Sequence, residues 1–237
     1  MKMNMKFEEW LVFENENFLA INKPPYIATL EDRSSPVSVL KLAREYHPNL
    51  QVCHRLDKET SGVLLLAKST VAYKHASTLF AERLIKKTYH AVANGLHDFT
   101  KEIIDLDLAI SSSGIARVKK GAKPSKTVVN TLEKFRFHTL VECLPETGRM
   151  HQIRVHLAAK GAPLVADELY AGANLYLSKI KKSYRPKTEE EERPLMARVS
   201  LHAYRLEFAG LNSDRIEVTG QYPKDFQTVL SQLRKFS

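Results

Sequence analysis

Segments with the pattern of β-strands outnumber helical segments along this chain, and the two kinds do not alternate regularly. Regular alternation would predict a parallel sheet with crossover helices, whereas this order predicts an α+β fold with a largely antiparallel sheet. Period-two patterns, apolar runs and β-branched content mark the expected strands. These are residues 10–13, 18–21, 63–67, 88–94, 103–110, 127–137, 139–144, 201–208 and 215–219.

Three segments have helical spacing instead, and they cover residues 37–46, 70–87 and 149–160. In the second, Ala72, Ala76 and Leu79 recur at the spacing of one helix face. The third ends where Gly161 suits the residue after the helix and Pro163 prevents its continuation.

The first 170 residues contain no strong linker, so we expect a single domain over residues 1–237. Residues 178–194 form a charged loop with the composition of a mobile segment. The longest apolar run has five residues, Val63 to Ala67, which is too short to span a membrane. The two widely spaced cysteines and the lack of a secretory signal favour a cytoplasmic protein, which we expect to be a monomer.

The charge balance points to a polyanionic partner. Thirty-six Lys and Arg oppose 27 Asp and Glu, a formal net charge of +9 with a pI near 9.4. Nucleic acid is the usual partner of such a protein, although many soluble proteins are simply basic.

The segment 117–126 concentrates this charge, with five basic residues and no acidic one. Gly121 and Pro124 favour a mobile loop, and clustered cations of this kind neutralise phosphates. The alternative is a loop that is only solvated. The candidate RNA contacts are Arg117, Lys119, Lys120, Lys123 and Lys126.

The common cofactor and metal motifs are missing from the sequence. It has no glycine-rich dinucleotide or phosphate loop, no metalloprotease motif and no paired CxxC. His151 and His156 are five residues apart and do not share a helix face, which makes them a poor metal pair. The sequence therefore offers none of the common motifs for a metal or an organic cofactor.

The segment His54–Gly62, HRLDKETSG, leads into the apolar strand 63–67. If it is extended, Arg55 and Asp57 lie on one face and His54 and Leu56 on the other. Asp57 then lies shortly before the first residue of a rigid buried strand. A structural ion pair between Arg55 and Asp57 is the alternative.

A second segment, ETGRMHQIRVH over residues 146–156, feeds a helix. His151 and Arg154 are three residues apart, so one face presents a cation while Ile153 packs. An ordinary amphipathic helix with a surface arginine is the alternative.

Together these segments resemble the RluA-type RNA pseudouridine synthases. Residues 54–62 with Ala67-Lys68 are similar to the family's aspartate motif, and KTYHAVANG at 87–95 to its tyrosine motif. Residues 147–156, with Gly161 and the DELY at 167–170, look like its arginine segment. Asn22-Lys-Pro24 and Leu201-His-Ala203 resemble its opening turn and its closing segment. The matches span about residues 10 to 210 in the family's order.

The resemblance implies the pseudouridine synthase fold, a central mixed and largely antiparallel sheet flanked by helices and loops. It also implies the isomerisation of uridine in ribosomal or transfer RNA without metal or cofactor. In that reaction the resemblance implies that Asp57 acts as nucleophile or stabilises the developing cation. It implies that Arg154 pairs with Asp57 and keeps it ionised. Tyr89 is expected to stack on the base, which must be flipped out of the RNA.

Further RNA contacts follow from the same matches. Arg55 is expected to fill the space that the flipped base leaves, and the remaining candidates are His54, Thr60, Arg149, His151 and Gln152. Many relatives carry an N-terminal S4 RNA-binding domain, and we expect none here because the opening motif begins about ten residues in. Tyr26 departs from the family, which often has glycine after the Lys-Pro turn, and Met150 replaces a small hydroxyl residue.

Two other classes compete with an RNA pseudouridine synthase. A non-catalytic RNA-binding protein on the same scaffold would be indicated by the loss of Asp57, Tyr89 or Arg154, and all three are present. A methyltransferase would need a glycine-rich strand–turn–helix, which the sequence does not contain.

Overall fold

The computed structural model describes residues 6–31, 37–185 and 192–237. The chain divides into two compact units, one formed by residues up to Thr88 together with His202–Gln221 and the other by Tyr89–Leu201 with Tyr222–Ser237. Nothing in this division tests the expectation of a single catalytic domain.

The first unit is built on a mixed sheet. Its strands are β1 (Leu11–Glu14), β2 (Phe18–Lys23), β3 (Gln51–Val52), β4 (Ser61–Ala67), β11 (Leu201–Ala209) and β12 (Arg215–Thr219). The order is β1-β2-β4-β11-β12, with β3 also paired to β4. Every pair is antiparallel except β4–β11, which is parallel.

Two α-helices, α1 (Val39–Tyr46) and α2 (Thr70–Ala81), complete this unit. Each begins at a serine, Ser38 or Ser69, whose hydroxyl accepts a backbone N–H of the first turn. All seven residues of β4 are buried. Ala72 and Leu79 of α2 pack on a core that includes Val63 and Leu65, so β4 is the fixed element from which the preceding turn projects.

The second unit contains an antiparallel sheet and a separate hairpin. The sheet order is β5-β10-β9-β6, from β5 (Lys86–Asn94), β6 (Glu102–Asp105), β9 (Lys126–Lys134) and β10 (His138–Pro145). The hairpin pairs β7 (Leu108–Ile110) with β8 (Ala116–Val118). The helices are α3 (Gln152–Ala159), α4 (Leu177–Ile180) and α5 (Lys224–Lys235).

Helices cover both faces of this sheet, as the alternation along β5 shows. Ala91 and Ala93 belong to the same core cluster as Leu157 of α3. Val92 points the other way and packs in a cluster with Phe226 of α5. The α+β class and a mixed, mostly antiparallel sheet flanked by helices are therefore confirmed.

Several predicted boundaries are wrong. The helix expected over 70–87 ends at Ala81, because Arg83 adopts a left-handed conformation (φ 61°) and Leu84 N–H donates to Leu79 O. The strand expected over 103–110 is two strands, β6 and β7, in different sheets. The charged loop expected over 178–194 begins inside α4, and its residues 186–191 lie outside the described residues.

Candidate active site

Asp57 lies in a turn directly before β4. Thr60 N–H donates to Asp57 O at 3.0 Å, so the turn closes over residues 57–60, and Ser61 and Gly62 already belong to the strand. Arg55 is exposed, Leu56 is buried and Asp57 is half-buried, in agreement with the predicted alternation. Thr60, a predicted RNA contact, is 3% exposed.

The residue before Asp57 is fixed by a buried threonine. Thr29 Oγ1 donates to Leu56 O at 2.8 Å and accepts Leu56 N–H at 3.1 Å. Both backbone polar groups of Leu56 are thus bonded to one side chain from another part of the unit.

The residue after Asp57 is fixed by a buried lysine. Lys23 is completely buried, and its Nζ donates to Lys58 O at 3.2 Å and to Pro24 O and Ile27 O at 3.0 Å. Tyr26 N–H also donates to Lys58 O at 2.8 Å. Three carbonyls compensate the burial of the ammonium, and the backbone on both sides of Asp57 is held.

The departure at Tyr26 has a backbone explanation. Tyr26 has φ 69°, in the left-handed region that glycine adopts without steric cost. A glycine at this position of the turn fits that geometry, and this chain holds a tyrosine there instead.

His54 supports the turn from inside the unit. Its Nε2 accepts Leu65 N–H at 3.1 Å, and its ring packs on Phe80 with centroids 4.9 Å apart. Burial, with repulsion from Lys87, lowers the pKa of His54 to about 3. The ring is therefore neutral at pH 7 and accepts a hydrogen bond from the backbone of β4. Its predicted contact with RNA stays a prediction.

The start of β4 is pinned to β11. Ser61 Oγ lies 2.9 Å from His202 Nδ1, and His202 Nε2 lies 3.0 Å from Gly220 O. A carbonyl only accepts, so Nε2 carries the proton and Nδ1 accepts from the serine. The segment Leu201-His-Ala203 thus fixes the end of the turn that bears Asp57.

Arg154 lies in the second unit and is held by a carboxylate. Its Nε donates to Asp167 Oδ2 at 2.7 Å and its Nη2 to Oδ1 at 2.6 Å. Arg154 is 8% exposed and Asp167 1%. The guanidinium also stacks 5.0 Å from the centroid of the Tyr170 ring. The predicted pairing of Arg154 with Asp57 stays a prediction.

His151 precedes helix α3 in a left-handed conformation (φ 54°), so the helix begins at Gln152 and not at Arg149 as predicted. Its Nδ1 lies 2.9 Å from the Tyr170 hydroxyl, which donates to Ala116 O at 3.1 Å. The hydroxyl uses its single proton in the bond to Ala116 O, so the proton between His151 and Tyr170 is carried by Nδ1. His151 and Arg154 therefore both contact Tyr170.

Gln152 is buried in a polar network. Its Oε1 accepts from Thr147 Oγ1 at 2.6 Å and Arg149 N–H at 3.0 Å. Its Nε2 donates to Lys126 O at 3.0 Å and Thr127 Oγ1 at 2.9 Å. The side chain joins α3 to the start of β9, and its predicted RNA contact also stays a prediction.

Tyr89 is half-buried in β5, opposite Cys143 of β10, and packs against the core cluster that contains Leu157 of α3. It belongs to the second unit, like Arg154, whereas Asp57 belongs to the first.

The basic segment connects β8 to β9 through a turn, as expected for a connection between strands, and its predicted mobility stays a prediction. Arg117 lies in β8. Asp107 holds the turn that follows: its Oδ2 accepts Gly121 N–H at 2.8 Å, and its backbone carbonyl accepts Lys119 N–H. Lys126 begins β9 and pairs with Glu146 at 2.9 Å. The other four cations pair with no carboxylate among the described residues.

Sequence reasoning gave no role to Lys23, Thr29 or Asp167. Asp167 and Lys23 lie in matched motifs, which was a signal that these positions matter. No signal marks Thr29, since its bonds to Leu56 join residues 27 positions apart.

Within the described ranges, no helix has the length and apolar character to cross a membrane. The same residues contain no group of three His, Cys, Asp or Glu side chains arranged to hold a metal ion.

Comparison with known proteins agrees with this arrangement. Residues 17–159 match the family of RNA pseudouridylate synthases. The ribosomal large subunit pseudouridine synthase D of Neisseria meningitidis serogroup B is 34% identical over 235 residues, which are 94% of this chain and 61% of that protein. The synthase C of Vibrio parahaemolyticus is 30% identical over 97% of this chain and 71% of its own length.

A solved structure supports the same assignment. The human RNA pseudouridylate synthase domain containing 4 superposes with a TM-score of 0.76 at 25% identity, over 96% of this chain and 94% of that chain. The chain spans 61% of the length of the Neisseria relative. The resemblance to the RluA-type enzymes is confirmed, and the chain belongs to the RNA pseudouridylate synthase family.

Proposed function

We propose that this chain isomerises uridine to pseudouridine in RNA, with Asp57 as its central catalytic residue. The observation that carries the proposal is the fixed backbone on both sides of Asp57, through Thr29 at Leu56 and Lys23 at Lys58. Rigid supports of this kind hold a reacting group in productive geometry.

The reaction needs no outside reagent. The N1–C1′ bond of uridine breaks, a C5–C1′ bond forms, C5 loses its proton and N1 gains one. Electrons and atoms balance within the nucleoside, so we propose no metal or organic cofactor. Asp57 attacks the sugar or assists its deprotonation, and either role uses an ionised carboxylate.

Tyr89 and Arg154 complete the proposed mechanism. Tyr89 stacks on the uracil and takes part in proton transfer, and Arg154 orients Asp57. The fixed geometry of Arg154 on Asp167 supports an orienting role, since a guanidinium held along one edge by two hydrogen bonds is already in place. Arg55, exposed beside Asp57, fills the space of the flipped base.

The proposed substrate is ribosomal RNA. The names of the relatives in Neisseria and Vibrio specify the ribosomal large subunit, and the positive charge of the chain suits a polyanion such as its RNA. Transfer RNA is the alternative. We further propose that the protein works as a monomer in the cytoplasm.

The test compares Asp57→Asn with Glu59→Gln, a change at an exposed carboxylate of the same turn. Both variants and the wild type are incubated with unmodified transcripts of large-subunit ribosomal RNA and of transfer RNA. Pseudouridine formation and RNA affinity are then measured side by side.

We expect Asp57→Asn to lose turnover by orders of magnitude, because an amide is a poor nucleophile and does not stabilise a cation. Its RNA affinity should persist, since phosphate and shape contacts do not use that carboxylate. Glu59→Gln should retain activity. Full turnover by Asp57→Asn would contradict the mechanism, and RNA binding without turnover by the wild type would favour a non-catalytic RNA-binding protein.

A further inference from the structure

A cavity of about 540 Å³ opens in the second unit, between the β7–β8 hairpin and the segment that precedes α3. Its walls include Ile110, Ala116, Ala122 and Met150, and Lys123 and Arg149 stand among them. The volume lies within the range of small-molecule and cofactor sites, about 300–1,000 Å³.

Small side chains create this space. Leu108 and Ala116 of the hairpin pack against Val155 of α3, with Met150 beside them, and three of these residues, Leu108, Ala116 and Met150, also line the cavity. Ala122 leaves room that a larger residue would fill, and Ile110 is 61% exposed. The folded unit therefore leaves apolar surface open to a partner.

The two charged residues that line the cavity, Lys123 and Arg149, are both positive. Arg149 Nε donates to Pro124 O at 3.3 Å, so its guanidinium lies beside the basic turn. Lys123 and the neighbouring Lys119 and Lys120 are exposed, and none of them pairs with a carboxylate among the described residues. An occupant with an apolar body and an attached anion complements these walls.

We propose that this cavity receives an unstacked base of the RNA, with its phosphate bound by Lys123 and Arg149. A nucleotide combines a flat body that an apolar wall accommodates with a negative charge, and single bases out of a helix are the part of RNA that proteins read. The proposal rests on RNA as the substrate, and it assigns to the hairpin of the second unit a contact with RNA that uses no residue of the Asp57 turn.

The first test fills or alters the cavity without removing a charge. Ala122→Leu occupies the space and Ile110→Asn makes its mouth polar. Ile103→Asn is the control, because Ile103 is a similarly exposed residue (55%) of the same unit that does not line the cavity.

We expect the two cavity variants to bind structured ribosomal RNA about tenfold more weakly, because the loss of one bound base weakens affinity by about that factor. The slope of log affinity against log salt should not change, since every cation that binds a phosphate is still present. Because Ile110 is exposed, Ile110→Asn keeps the test valid even if Ala122→Leu unfolds. Affinities equal to that of Ile103→Asn would overturn the proposal.

The second test is photocrosslinking of the full chain to a ribosomal RNA transcript containing 4-thiouridine, followed by peptide mapping. Crosslinks at Ile110, Ala122 or Met150 would support the proposal, and crosslinks confined to other segments would overturn it. Crosslinking does not require turnover. A protein that crosslinks at the cavity but makes no pseudouridine would refute the proposed activity and leave this binding site standing.

Discussion

Arg154 donates to both oxygens of Asp167, and neither side chain is exposed by more than 9%. Removing one partner of such a pair leaves a buried charge without compensation. We expect Arg154→Ala to lower the free energy of unfolding by about 3–5 kcal/mol, measured by urea denaturation. Arg234→Ala is the control, since its pair with Glu133 is exposed and should be worth about 0–1 kcal/mol.

Equal losses for Arg154→Ala and Arg234→Ala would contradict a stabilising role for the buried pair. The result also affects any assay of Arg154 in catalysis. A variant that is partly unfolded loses turnover whether or not Arg154 orients Asp57, so turnover has to be compared under conditions in which the variant is shown to be folded.

His54 makes the stability depend on pH. Burial, with repulsion from Lys87, lowers its pKa to about 3 in the folded protein, against about 6.5 in the unfolded chain. The unfolded chain therefore binds a proton that the folded protein does not, and stability is lost as the pH falls from about 6.5 towards 3. Above pH 6.5 this contribution is complete.

We expect His54→Gln to reduce this loss, because glutamine accepts the Leu65 N–H through its amide oxygen and does not titrate. Between pH 6 and 4 the wild type should lose about 1.4 kcal/mol per pH unit more than the variant, measured by urea denaturation at each pH. Identical curves for wild type and His54→Gln would contradict the buried neutral ring.

At the scale of elements, the close approach of β4 and β11 depends on Gly62. A Cβ at Gly62 would lie 2.2 Å from Ala203 O, and Gly62 has φ 116°. Gly62→Ala should therefore cost about 3 kcal/mol or more in the free energy of unfolding, from strain and overpacking together. Gly148→Ala, where a Cβ meets no atom within 4 Å, should cost much less, and equal losses in urea denaturation would refute the explanation.

Local patterns predicted much of this architecture. The apolar run 63–67 is the buried strand β4, and the alternation over 54–57 places Arg55 outside and Leu56 inside. Helix α5 was not predicted, although Phe226, Val229, Leu230 and Leu233 have helical spacing and are buried. That signal was present in the sequence.

Local sequence patterns did not predict which residues from distant parts of the chain bind each other. The carboxylate that binds Arg154 follows 13 residues later in a different element, and the hydroxyl that fixes Leu56 precedes it by 27 residues. Spacing within one helix or strand does not contain these contacts, because folding of the whole unit creates them. The resemblance to a family identified the segments concerned but not what each side chain binds.

At the scale of the whole molecule, the net charge is +9. The basic residues that produce it differ in whether a carboxylate pairs with them. Lys134, Lys160, Arg215 and Arg234 pair with carboxylates at 2.5–3.1 Å. Within the described part of the chain, Arg117, Lys119, Lys120 and Lys123 have no such partner. A cation that is already paired has to exchange its carboxylate for a phosphate, so we expect the second set to contribute most to RNA binding.

The test replaces either set of four by glutamine, and both variants lose four positive charges. Replacing Arg117, Lys119, Lys120 and Lys123 should reduce the slope of log affinity against log salt by about 0.7–0.9 for each phosphate that is no longer neutralised. Replacing the four paired cations should leave the slope close to that of the wild type. Lys126→Gln should also have a small effect, because Lys126 pairs with Glu146. Equal slopes for the two variants would mean that RNA responds to the net charge of the molecule and not to the basic turn.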